Sequence, residues 1–157
     1  MNRFRFYSND GVNYKSDLGV FIHDLLPSLN HVKDYFRIEY CYLSKEYLKS
    51  LLKYSSHLDT LYIRQCYTDT QTYDFEHIDY GLKNLYLSGV GCSSLANWKQ
   101  NPKKFENLIK GLSNTSLRKS LKQISIVECQ LEIASAKKIM ELYGMGHINL
   151  TENTYNF

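Results

Sequence analysis

No apolar run in this chain approaches the about 18 residues of a membrane-spanning helix, so no membrane span is expected. The opening stretch MNRFRFYSND has no apolar core of the kind a secretory signal carries. Its Arg3 and Arg5 leave a mitochondrial presequence as an alternative, against which stand Asp10 and the lack of an amphipathic helix. The four cysteines, Cys41, Cys66, Cys92 and Cys129, include no C-x-x-C pair and no histidine at finger spacing, which argues against zinc. Without a signal peptide, free thiols in a reducing, cytoplasmic compartment are expected rather than disulfides. The sequons at Asn114 and Asn149 are then irrelevant.

Catalytic signatures are missing as well. His23, His31, His57, His77 and His147 show no H-E-x-x-H or other metal spacing. The stretch SGVGCSS, residues 88–94, completes neither a phosphate-binding loop nor a dinucleotide fingerprint, and it reads as a turn leaving a strand. Carboxylates are scattered rather than paired, so no general acid and base stand out. The expectation is therefore no enzyme and no cofactor. The alternative is an enzyme or nucleotide binder built on the Gly89–Cys92 turn. Charge of one sign is also scarce: the formal net charge is +3, too small by itself to argue for nucleic acid.

What the chain has is a repeat. With 43% hydrophobic and 22% charged residues in 157, it is a folding chain of about one domain. Phe36, Ile38 and Cys41 share a spacing with Leu58, Leu61, Ile63 and Cys66. The same spacing returns in Leu82, Leu85, Leu87 and Val90, with Cys92 two residues late. It returns again in Leu121, Ile124, Ile126 and Cys129, then in Met145, Ile148, Leu150 and Asn153. A weaker copy is Phe4, Phe6 and Asn9. The last slot advances by 25, 24, 39 and 24 residues from Cys41 to Asn153. A fixed period near 24 names an architecture before any local signal does.

The pattern L-x-x-L-x-L-x-x-N/C resembles that of leucine-rich-repeat proteins of the ribonuclease-inhibitor-like or cysteine-containing type. That resemblance implies an α/β solenoid in a short horseshoe arc, with parallel strands on the concave face and helices or 3₁₀ turns on the convex face. It implies an N-terminal strand and helix cap over residues 1–30 and a repeat region over 31–157, with an insertion around 91–120. It also implies that Cys41, Cys66, Val90, Cys129 and Asn153 form an inward structural ladder at the strand exits. The cysteines are then small buried residues rather than reactive thiols.

Helical spacing fills the gaps between copies. Ser44 is a candidate cap for Tyr47, Leu48, Leu51 and Leu52. Asn101 and Pro102 open a stripe of Phe105, Leu108, Ile109 and Leu112. Ile133, Ala136, Met140 and Tyr143 make another, stopped by Gly144. Leu18, Phe21, Ile22, Leu25 and Leu29 form a stripe shortened or kinked near Pro27. The segment after Cys66 is too irregular for a helix, and Phe75 and Ile78 are expected to plug the core. Trp98, in the insertion, is expected to pack back onto the solenoid.

Strand alternation then sorts the residues between the inward slots to the opposite face. One row is Arg37, Tyr62, Tyr86, Ser125 and Asn149, and the next is Glu39, Arg64, Ser88, Val127 and Thr151. Leucine-rich repeats are typically protein-interaction scaffolds. The expected function is accordingly a non-catalytic protein–protein interaction scaffold, a subunit or adaptor of a larger assembly. Its partner-binding residues are Arg37, Tyr62, Arg64, Tyr86, Ser125 and Asn149 on the exposed strand face. Other proteins are the expected partners. The strand Ile148–Leu150 suggests docking or self-association through the C-terminal end. A second alternative lies in residues 95–140, where nine Lys/Arg face three Glu. Such a segment can contact RNA or an acidic partner, but lysines of this kind are more often the solvated backs of helices, and nucleic acid is not expected.

Overall fold

The structure, a computed structural model, describes residues 3–7, 24–39, 45–64, 72–88, 102–127 and 132–152. Among them, six short strands pair in sequence order to form one open, all-parallel sheet. They are β1 (Arg3–Tyr7), β2 (Tyr35–Glu39), β3 (Thr60–Arg64), β4 (Asn84–Ser88), β5 (Gln123–Val127) and β6 (Asn149–Glu152). Parallel neighbours cannot be joined by tight hairpins, so each connection crosses over. Crossovers are right-handed almost without exception. Because the strands advance in one direction across the sheet, that handedness puts the described helices on the same face.

The described connections carry a 3₁₀ helix (Leu26–His31), α1 (Lys45–Tyr54), α2 (Pro102–Ser113), α3 (Leu117–Ser120) and α4 (Ile133–Leu142). Pro27 lies at the start of the 3₁₀ helix, where its missing N–H costs nothing. Each helix buries the stripe its spacing foretells: Leu48, Leu51 and Leu52 on α1, Phe105, Leu108, Ile109 and Leu112 on α2, Ala136 and Met140 on α4. These meet two inward rows of the sheet. Phe36, Leu61, Leu85, Ile124 and Leu150 form one, and Ile38, Ile63, Leu87 and Ile126 the other, all within a single core. The step of 39 residues accommodates α2 and the short α3. The Asn101 cap, the Ser44 cap and Trp98 lie outside the described residues.

Residues 72–83 form no helix. Phe75, Tyr80 and Leu82 fill the core there, and Ile78 packs against it. The backbone of this segment is held by a side chain: Ser116 Oγ donates to the Ile78 carbonyl (2.7 Å) and accepts from Tyr80 N–H (2.9 Å). Helix α2 lies so close that a Cβ on Gly111 would stand 2.7 Å from Tyr73 Cβ. Only glycine permits that approach.

Tyr80 is buried, and its hydroxyl has no hydrogen-bond partner among the described residues. Burial, helped by the nearby Glu76 charge, pushes its phenol up to about 12, and burial pushes Tyr73 up to about 12 as well. The unfolded chain therefore gives up these protons first, near pH 10. Their contribution is complete below pH 10 and is lost as pH rises toward 12. Tyr80→Phe should be stable at neutral pH, gaining about 1 kcal/mol by removing an unpaired hydroxyl. It should also lose less stability than the parent between pH 10 and 12. Urea midpoints at neutral and alkaline pH read both effects, and equal alkaline losses would refute the assignment.

Candidate functional site

The sheet face opposite the helices carries the candidate site. Its central row runs Arg5, Arg37, Tyr62, Tyr86, Ser125 and Thr151 across β1 to β6. Arg37, Tyr62, Tyr86 and Ser125 stand side by side in the expected order. Asn149 does not join them. It pairs with Gln123, in the row of Tyr35, Thr60 and Asn84, and Thr151 takes the place beside Ser125.

The shift has a local cause. Helix α4 ends at Gly144, whose φ of +73° lets Met145 N–H return to the Met140 carbonyl at 2.8 Å. Met145 and Ile148 are buried in the resulting turn. The strand begins after them, with Asn149 N–H on the Lys122 carbonyl at 3.0 Å. The equivalent bond ties Gln123 N–H to the Lys83 carbonyl and Asn84 N–H to the Asp59 carbonyl. The apolar spacing of Met145, Ile148 and Leu150 is thus satisfied by a turn plus one strand slot, not by two strand slots. The expected strand Ile148–Leu150 becomes Asn149–Glu152.

Around the row the chemistry changes from one side to the other. Tyr62 and Tyr86 stack face to face with ring centroids 4.4 Å apart and planes at 17°. Tyr35 sets its ring at 78° to that of Tyr62 at 5.5 Å. The Arg37 guanidinium lies 6.0 Å from the Tyr62 centroid and donates to Glu39 Oε1 at 2.7 Å. Farther along, the groups are neutral. Ser125 Oγ and Thr151 Oγ1 share a 2.7 Å hydrogen bond, and the Gln123 amide donates to both, at 3.0 and 3.2 Å. The Asn84 amide donates to Thr60 Oγ1 at 3.2 Å.

The face is not uniformly exposed, which corrects the expectation from alternation alone. Glu39 and Ser125 are each 0% exposed and Arg37 is 9%. Tyr62, Tyr86 and Thr151 are half-buried, and Asn149 is exposed. Glu39 carries the one carboxylate of the described outward side chains, and it is engaged with Arg37. Neither histidine nor cysteine occurs in these strands. Their described side chains can stack and donate hydrogen bonds. They hold no nucleophile–base pair among the described residues.

Arg64 occupies the register position between Glu39 and Ser88, in the next outward row. The ladder positions Cys41, Cys66, Val90, Cys129 and Asn153 lie outside the described residues, as does the Gly89–Cys92 turn. In the basic segment, Lys103, Lys110, Arg118, Lys119, Lys122, Lys137 and Lys138 are all exposed, distributed over α2, α3, α4 and the entry to β5. Lys103 donates to Glu106 at 3.2 Å, and Tyr143 donates to the same carboxylate at 2.7 Å, tying α4 to α2. The Tyr143 hydrogen bond, then that of Lys103, holds the Glu106 carboxyl below the usual carboxylate range.

Alternation had put Glu39 in an outward row without revealing its burial, and it had given no weight to Tyr35, Asn84 or Gln123. Each sits two positions before a residue of the central row, and that period of two was the available signal. A scan of protein-family models, a search of the curated proteins and a search of the solved structures each found no match. No helix among the described residues is long and apolar enough to cross a membrane.

Proposed function

We propose that this protein is a non-catalytic interaction scaffold of the leucine-rich-repeat type. On this reading the sheet lines the concave side of a short solenoid arc, and the chain works in a reducing, cytoplasmic setting as a subunit or adaptor. The observation that carries the reading is the row Arg37–Tyr62–Tyr86 on the sheet face away from the helices. Tyrosine and arginine are the types that anchor protein interfaces. A sequential parallel sheet with one face against helices offers the extended surface such anchors need. The strand-to-strand steps of 25 and 24 residues between Arg37, Tyr62 and Tyr86 support the repeat assignment.

The test is photo-cross-linking of the full chain in an extract of its own cells. Tyr86→benzoylphenylalanine and Thr151→benzoylphenylalanine should capture the same protein, while Lys138→benzoylphenylalanine on α4 should not. Capture from Lys138 alone would move the site to the helical side and overturn the reading.

A further inference from the structure

We infer that the β4–β5 part of the open face receives an arginine side chain of a protein partner, with the Asn84 and Gln123 carboxamide oxygens as its acceptors. The inference rests on the sheet-face reading above and adds the chemistry of the occupant. Asn84 and Gln123 are register partners on adjacent strands, each two residues before a member of the central row. Both are half-buried. Their nitrogens are drawn apart. Asn84 Nδ2 donates to Thr60 Oγ1 on β3 at 3.2 Å. Gln123 Nε2 donates to Ser125 Oγ at 3.0 Å and to Thr151 Oγ1 on β6 at 3.2 Å.

These bonds fix which end of each amide is left over. Ser125 Oγ and Thr151 Oγ1 hold one hydroxyl proton between them. An amide oxygen facing both could accept from one hydroxyl at most, whereas the nitrogen has a hydrogen for each. Gln123 therefore spends both N–H hydrogens within the face and keeps its oxygen. In a planar amide, oxygen and nitrogen diverge from one carbon. Asn84 Oδ1 is thus turned away from Thr60, and Gln123 Oε1 away from Ser125 and Thr151. Neither oxygen accepts a hydrogen bond among the described residues.

The leftover chemistry selects the occupant. Two neighbouring acceptors whose donors are mostly spent disfavour a carboxylate or a phosphate, which brings acceptors alone. They call for N–H groups. Neighbouring strands stand about 4.8 Å apart, whereas N–H groups along one edge of an extended peptide recur at about 6.6 Å. A peptide backbone that matches one oxygen therefore misses the next. A guanidinium carries five N–H donors splayed in one plane and reaches both, and an ammonium is a compact, strongly hydrated point charge. The aromatic pair favours the same group. Arg37 already sets its guanidinium 6.0 Å from the Tyr62 centroid, and Tyr86, stacked on Tyr62, follows Asn84 on β4. Arginine is the cation that most often lies against such rings. No lysine or arginine falls within β4, β5 or β6 to oppose it.

The probe is a short fluorescent peptide of alternating Arg and Gly, followed by anisotropy with the full chain at low salt. Versions with citrulline, which puts a neutral urea in place of the guanidinium, and with Lys serve as comparisons. The Arg peptide should bind at least tenfold more tightly than the citrulline peptide and severalfold more tightly than the Lys peptide. Asn84→Ala and Gln123→Met should each weaken it about tenfold, the worth of one charge-assisted hydrogen bond. Asn84→Asp, which turns the acceptor into a carboxylate, should tighten it severalfold, a gain that a damaged fold would not give. Glu141→Gln, exposed on α4, should change nothing. Equal binding of the Arg peptide and either comparison, no weakening by Asn84→Ala and Gln123→Met, or loss through Glu141→Gln instead would each overturn the inference. If Tyr86→benzoylphenylalanine still captures a protein in that event, the scaffold reading survives and only the arginine occupant falls.

Discussion

Glu39→Ala should lower the unfolding free energy by about 3–5 kcal/mol, the range for removing one member of a buried ion pair. Glu39 is 0% exposed and the Arg37 side chain 11%, with Nη2 and Oε1 2.7 Å apart. Deleting the carboxylate removes that counter-charge from a guanidinium that water cannot fully reach. The attraction between the two does not by itself make the pair stabilising, since both charges were desolvated to form it. The double variant Arg37→Met, Glu39→Leu removes the charges together and should recover most of the loss. Urea denaturation of the three variants closes the cycle. A loss below about 1 kcal/mol for Glu39→Ala would mean the pair behaves as a solvated surface bridge. The double variant carries a functional reading too: stability returns, but Tyr62 loses the cation beside its ring.

Phe105→Ala should cost about 3–5 kcal/mol, through lost burial and the cavity left behind. Phe105 is 0% exposed and sits on α2, inside the stretch where the repeat period lengthens. An insertion that merely decorated the surface would tolerate the change. Lys110→Ala, exposed on the same helix, should stay within about 0.5 kcal/mol of the parent. Thermal or urea unfolding distinguishes them, and the Phe105 variant should keep a single transition if α2 belongs to the one core. Equal, small effects from both would make the segment an appendage.

Much of this arrangement was legible in the sequence, for a definite reason. The slots Leu61/Ile63, Leu85/Leu87 and Ile124/Ile126 each alternate within a strand, and a period of two leaves little freedom once one face is buried. The helical stripes of α1, α2 and α4 were legible on the same ground, with a period of 3.6. Failure came where two structures satisfy one pattern. Met145, Ile148 and Leu150 fit the strand slots by spacing, yet the glycine stop after α4 consumes the first two in a turn. Alternation also said which face Glu39 and Ser125 occupy but nothing about how deeply they are covered. Burial on an open face depends on neighbours across strands, such as Tyr86 and Thr151 on either side of Ser125. Those neighbours are defined by register, which a single linear pattern does not contain.

The strictly sequential order of the sheet has a kinetic consequence. Each described strand pairs only with the strand before and the strand after it in the chain. Among the described residues no strand joins β1 to β6, so the sheet can be unzipped one strand at a time from either side. Amide hydrogen exchange should therefore form a gradient: slowest in β3 and β4, faster in β2 and β5, fastest in β1 and β6. Tyr62 and Tyr86 stand on the two slowest strands. Their stacked rings would remain in place through the partial openings that carry away the margins, and a partner held there would be released only by opening of the centre.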